Sequence, residues 1–485
     1  MAGGTVWFAM LCLVVGCFML PAAAGAATVW NVSHVAGAGN YTSLLDISVI
    51  GEGDTIRIWG VEGHTYEGGI TIITSGVTVE RWEGSPARPI ITNSSHTAPA
   101  ITVTAGGITL QGLNVSGNSL DSGNGAAIRV GGTRYAHLLG FTVTDCVFTG
   151  NEAAGGSGGA VSLEYVDDSR IAGTTFTNNT AGNYGGRPCY GGGAYFIHSA
   201  SPTLTNATFA DNTALAGGGA FFTNSTSPTL TNTTFENNTA KYGGGGAYFG
   251  SSASPTLTDT TFENNMAGAN GGGTYLWSSN TAALIGTTFA NNTAADGGGG
   301  AYFTDSISAV ITNCRFDSPT NIYAKASGAV LNGTRTVGTN IAGGPYLGGN
   351  LWLTDPAQNI SGWGTDADFD GICDEAFIIN NSDGSVFGID HLPLVVPGGG
   401  TATINSTPAG ASIRLDGVEL ARTTNTSLYL PAGDHDLTVT LDGYVTPENR
   451  TVTITAGQTV PVSFNLDPVP TRPHSSGDGR SHGRR

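Results

Sequence analysis

Charge is scarce in this chain of 485 residues: Asp, Glu, Lys and Arg together make 11% of it. The balance is acidic, 36 Asp and Glu against 18 Lys and Arg, for a formal net charge of −18. A sparse acidic surface offers nothing to a phosphate backbone or an anionic membrane, which excludes nucleic acid as a partner. Ligands for copper are scarce too. Past residue 27 the only methionine is Met266, and the nine histidines share no ligand spacing. Long apolar runs end with Thr5 to Leu20, so the mature chain is expected to hold no transmembrane span. That run, followed by Pro-Ala-Ala-Ala-Gly-Ala-Ala, reads as a secretory signal over residues 1–27. Its removal leaves four of six cysteines: Cys146, Cys189, Cys314 and Cys373.

What is abundant is repetition. Phe148, Phe176, Phe209, Phe235, Phe262, Phe289 and Phe316 recur at spacings of 28, 33, 26, 27, 27 and 27 residues. Five residues before each stands an aliphatic: Val143, Ile171, Leu204, Leu230, Leu257, Leu284 and Ile311. Three before it comes a residue that tolerates the left-handed conformation of a sharp corner: Asp145, Gly173, Asn206, Asn232, Asp259, Gly286 and Asn313. Three after it, asparagine recurs at 151, 179, 212, 238, 265 and 292. Short strands joined at fixed corners, with no helical period, exclude helical solenoids and predict a parallel β-helix, one coil per repeat. Like residues then stack about 4.8 Å apart, and the asparagines form a ladder of amides. Cys146 and Cys314 share one offset but lie six coils apart, roughly 29 Å, too far for a disulfide. They read as small core residues.

Gly-Gly-Ala followed by Phe-x-x-Asn resembles the repeats of polymorphic outer-membrane proteins and related prokaryotic surface β-helices, over about residues 141–331. The irregular coils before it resemble those of pectate-lyase-like and NosD-like β-helices. From Gly338 to Trp352 the text resembles the segment that closes NosD-like, copper-binding-annotated archaeal proteins, and Asp390-His391-Leu392-Pro393-Leu394 continues that likeness. Ser406 to Gly417 and Leu430 to Tyr444 resemble a PEGA domain, a small β-sandwich common on prokaryotic surface proteins. The expected organisation is all-β. A signal at 1–27 precedes a right-handed parallel β-helix at 28–345 and a closing segment at 346–395. A linker at 396–400, a small β-sandwich at 401–468 and a disordered tail at 469–485 complete it.

Two places carry candidate chemistry. Asp366-x-Asp368-x-Asp370-Gly371-Ile372-x-Asp374 has the spacing of a calcium loop, with carboxylates at positions 1, 3, 5 and 9 and a backbone carbonyl from Ile372. Position 12 is Phe377, so a bidentate ligand is expected from Glu375, Asp383 or Asp390. Against a solvated acidic turn, calcium is the expected reading, as a clamp where the rod ends. The second place is a row of paired aromatics, one per coil. Strand neighbours face opposite ways, so Tyr195, Phe221, Tyr248, Tyr275 and Tyr302 are expected outside as a stripe for glycan rings or a partner, or packed beneath a loop. Glu164, Asp167, Asp168 and Arg170 form the one charged cluster in the repeats and read as loop decoration. Sequons such as Asn178, Asn237 and Asn291 admit glycosylation of an exported protein. The expected function is non-enzymatic: a secreted surface or envelope protein, adhesive or structural, whose partners are extracellular glycans or other surface proteins. The alternative is a polysaccharide lyase or glycoside hydrolase.

Overall fold

The computed structural model describes residues 26–470, apart from 36, 38, 183–186, 253, 280, 306–307, 326–327, 356–359 and 396–398. Nearly all of the expected signal and tail, most of the expected linker, and the sequon at Asn359 lie outside the described residues. Within them the chain is nearly all β, with helix confined to single turns at Leu44–Asp46 and Ile360–Trp363. Three long sheets of 14, 11 and 10 strands run the length of a parallel β-helix, with a seven-stranded fourth sheet of short strands along the corner.

Register follows the repeat. Phe235 on Thr234–Glu236 pairs with Phe209 on one side and Phe262 on the other, and Leu230 pairs with Leu204 and Leu257. Between these two strands the chain turns through the corner residue, and all seven corner positions have positive φ, from 49° at Asn232 and Asp259 to 61° at Gly286. A second left-handed corner follows six of the seven phenylalanine strands, at Gly150 with φ of 62° and at Asn178, Asp211, Asn237, Asn264 and Asn291 with φ of 53–56°. Asn and Asp hold this conformation at low cost because their short polar side chains bond locally.

The core is a set of ladders. From Phe148 to Phe316 the rings stack with centroids 4.5–5.1 Å apart, and Trp352 closes the stack 4.6 Å beyond Phe316. Asn118, Asn151, Asn179, Asn212, Asn238 and Asn265 each donate both the side-chain amide and the backbone N–H to the carboxamide oxygen of the next coil. Asn238 Nδ2 lies 3.0 Å from Asn265 Oδ1 and 2.8 Å from the Phe209 carbonyl. The ladder begins at Asn118, one coil before the regular repeats, and passes through Ser318 and Asn321 to the buried Asp355. Cys146 and Cys314 are free and buried in the Phe-proximal corner, their thiols pushed up to about 11 and about 12 by burial. Cys189 and Cys373 are also free and buried.

The rod is closed by Phe377–Asn380 and Val386–Asp390, an antiparallel pair added to the end of the 14-stranded sheet. Beneath it Asp390 is fully buried, accepting from the Asn350 backbone, the Trp352 indole N–H and the Leu392 N–H, each at 3.0 Å. Beyond lies a two-sheet sandwich. Gly399–Thr407 is the middle strand of one sheet, flanked by Thr426–Pro431 and Thr459–Asn465. The other sheet runs in the order Val418–Thr423, Ser412–Leu415, Gly433–Thr440, Arg450–Ile454. Pairing thus starts at Gly399, inside the stretch expected to be linker.

Candidate functional site

Tyr195, Phe221, Tyr248, Tyr275 and Tyr302 are in register on consecutive strands of the 10-stranded sheet, facing away from the Phe196, Phe222 and Phe249 core row. The expected open stripe is nonetheless corrected: Tyr195, Phe221 and Tyr302 are buried, and Tyr248 and Tyr275 are half-buried. The covering comes from the preceding corner, where Tyr190 pairs with Ala216, and Gly243, Asn270 and Gly297 pair in turn along the row. Tyr190 stacks on Phe221 at 4.5 Å. Geometry removes the rest of the stripe. Successive rings from Phe221 to Tyr323 stack nearly parallel at 4.6–5.2 Å, so their faces are spent on one another and only edges point outward. Burial raises the Tyr195 and Tyr248 phenols and pushes Tyr275 up to about 12, so all three stay neutral donors.

Two rings that sequence reading missed stand free above that edge. Tyr242 and Trp277 are 54% and 41% exposed, and they wall a cleft of about 610 Å³ floored by Tyr195, Phe221, Tyr248 and Tyr275. Trp277 occupies the position held by Gly250 one coil earlier and Thr304 one coil later. A Cβ on Gly250 would come within 2.8 Å of the Tyr248 ring and 3.4 Å of Trp277, so glycine there makes room chiefly for the Tyr248 ring on the cleft floor. The indole N–H donates to Asp305 Oδ2 at 3.3 Å. Among the described residues no Asp, Glu, His, Lys or Arg lines the cleft; Asn224 and Asn270 supply its carboxamides. The signal available in the sequence was the break in the repeat itself, a tryptophan where the neighbouring coils have Gly or Thr.

Several charged groups elsewhere on the rod are tied to partners. Glu164 meets Asn124 at 2.9 Å and Arg129 at 3.7 Å, Asp167 meets His137 at 3.0 Å, and Asp168 is a corner residue with φ of 52°. A polar groove of about 720 Å³ near the other end holds Arg57, Glu80, Trp82 and Asp145. There Glu80 is tied to Arg57 at 2.7 Å, and Asp145 to Arg88 at 2.6 Å.

The acidic loop gathers three of its four expected carboxylates. Oxygens of Asp366, Asp368 and Asp370 lie within 4.8 Å of one another. Asp374 accepts from the Ala367 N–H at 2.9 Å, outside that group, and Ile372 is a buried residue bridged to Leu394. None of the three residues expected to complete the site does so: Glu375 bonds Thr365, Asp383 bonds Ser385, and Asp390 is in the rod cap. Arginine fills part of the role. Arg335 reaches Asp370 at 2.6 Å, and Arg422 reaches Asp368 at 2.7 Å and Asp370 at 3.8 Å. Burial, then the like charges of Asp370 and Asp368, push the Asp366 carboxyl up to about 6.

Family comparison fits this architecture. The family model described as a right-handed beta helix region matches residues 99–293, and the PEGA domain model matches residues 399–470. The chain carries a right-handed β-helix region and a PEGA domain. Neither match reaches the closing segment at 346–395. No curated protein matches the chain. Among solved structures, a rhamnogalacturonan lyase is 13% identical over 62% of this chain and 87% of its own, with a TM-score of 0.37. Tailspike protein 2 of an Escherichia coli bacteriophage is 14% identical over 83% of this chain and 59% of its own, at 0.38. A lacto-N-biosidase from Eubacterium ramulus is 12% identical over 62% and 67%, at 0.35. At these values the likeness carries no inference about activity. Among the described residues no helix is long and apolar enough to cross a membrane.

Proposed function

We propose that this is a secreted surface or envelope protein that acts by binding, with the cleft between Tyr242 and Trp277 as a site for an extracellular glycan. The observation that carries this is the cleft's composition. It joins an exposed indole, an exposed phenol ring, a floor of neutral tyrosine edges and two asparagine carboxamides. Sites for small uncharged ligands are built this way, apolar walls with a few placed polar groups. Polysaccharide cleavage needs a group to move a proton; among the described residues lining the cleft there is no carboxylate or histidine, and the nearby Asp305 is engaged by the Trp277 indole. Calorimetric titration with neutral and acidic oligosaccharides should find a neutral binder, and Trp277→Ala should weaken it at least about tenfold, or 1.4 kcal/mol. Equal affinity for wild type and variant would place any binding elsewhere.

The three gathered carboxylates support a second proposal, a calcium site in the acidic loop. Asp366, Asp368 and Asp370 would hold the ion, which would supply positive charge now provided by Arg335 and Arg422. Extracellular calcium modules bind at roughly 10⁻⁴–10⁻³ M, so millimolar calcium should raise the melting temperature and Asp368→Ala should abolish the rise. No heat of binding and no shift in melting would remove the site.

A further inference from the structure

The acidic loop does something besides gather carboxylates. Phe369, at its apex, packs its ring against the apolar core of the PEGA sandwich, whose members include Ile404, Ile413, Leu428 and Val439. It does so with φ of 54°, a conformation that a bulky residue adopts only where its surroundings impose it. The loop arrives where both sheets of the sandwich present an edge. Thr426–Pro431 is the edge strand of the three-stranded sheet and Val418–Thr423 that of the four-stranded one. An open edge strand carries unpaired N–H groups. Here the Tyr429 N–H donates to the Phe369 carbonyl at 2.8 Å. On the other edge, Arg422 donates to Asp368 at 2.7 Å with its side chain only 16% exposed. Tyr429 then reaches back: its hydroxyl donates to the Ala342 carbonyl at 3.4 Å and accepts from the Gly399 N–H at 3.3 Å. A Cβ on Gly371 would sit 3.3 Å from Tyr429 and 3.4 Å from Pro345, so glycine there allows the two parts to close up.

We infer that the PEGA domain is completed by the closing segment of the β-helix, with Phe369 as a plug between its two sheets and Arg422–Asp368 as a clasp. The domain is therefore docked at the end of the rod and does not swing on a tether. Hydrogen exchange by mass spectrometry on the full chain, in chelator so that no divalent ion takes part, tests this. In wild type the peptide containing 426–431 should be protected at Tyr429, whose amide has its partner only in the loop. Phe369→Ser should speed exchange there at least about tenfold, Arg422→Ala should do so to a smaller extent, and Phe369→Leu should restore protection. The coils around Phe209 and Phe235 should be unchanged in all three. Tyr429 exchange as slow in Phe369→Ser and Arg422→Ala as in wild type would overturn the inference, as would fast exchange there in wild type.

Discussion

Asn238→Ala is expected to lower the stability of the β-helix by about 3 kcal/mol, at the upper end for one buried polar loss. Asn238 is fully buried, and its carboxamide oxygen accepts two N–H bonds from Asn212, at 2.9 and 3.0 Å. Its amide donates to Asn265 and to the Phe209 carbonyl. Alanine removes all of these and leaves buried groups of Asn212 and Phe209 without their partner. Its exposed neighbour Asn237 gives the contrast, because it occupies the second left-handed corner with φ of 54°. Asn237→Ala should cost only about 1 kcal/mol, through the strain of a Cβ in that conformation, and Asn237→Gly should be near neutral. The comparison is read from urea midpoints of the three variants. Equal midpoints for Asn238→Ala and Asn237→Gly would remove the amide ladder as a source of stability.

Acidification should stabilise the rod cap. Burial pushes the Asp390 carboxyl from 3.8 up to about 6, although four N–H donors from Asn350, Trp352 and Leu392 hold its charged form. The folded state therefore binds a proton more tightly than the unfolded chain. The stability this supplies is fully present below about pH 4 and is lost as pH rises through about 6. A rise from 3.8 to about 6 corresponds to stability on the order of 3 kcal/mol. Lowering pH from 7.5 to 4.5 should therefore raise the melting temperature. At lower pH still, carboxyls held below 3.8 by their partners, such as Asp317 beside Arg315 and Asp416 beside His435, start to lose their contribution. Asp390→Asn carries no titrating group, so its slope between pH 7.5 and 4.5 should be shallower than that of wild type, the remainder coming from Asp366 and His435, which are also raised. The same slope in wild type and variant would assign the effect to other groups.

The β-helix was legible because its determinants are local and repeated. A phenylalanine, an aliphatic and a left-handed corner at constant offsets specify a coil, and every further copy confirms the register. Ladder ends were less legible. Asn118, Asp355 and Asp390 satisfy the terminal amides, but they lie where the period breaks down. The outward aromatics were placed on the right face, yet alternation along a strand says nothing about what folds over it. Tyr190 and the Gly243 and Asn270 segments come from the corner between sheets, and their spacing varies from coil to coil. Trp277 and Tyr242 were missed for the complementary reason, since each is an exception within its own repeat. In the acidic loop, spacing identified the carboxylates but could not reveal Arg422, which is 54 residues from Asp368 in sequence. That partner exists only because the sandwich docks there.

Binding without cleavage is the central claim, and incubation of the purified protein with neutral and acidic polysaccharides tests it most directly. Retention of a polysaccharide, lost in Trp277→Ala, with no new reducing or unsaturated ends after prolonged incubation is the result expected. Release of such ends by wild type, undiminished in Trp277→Ala, would contradict it and make the protein an enzyme acting from another face of the rod.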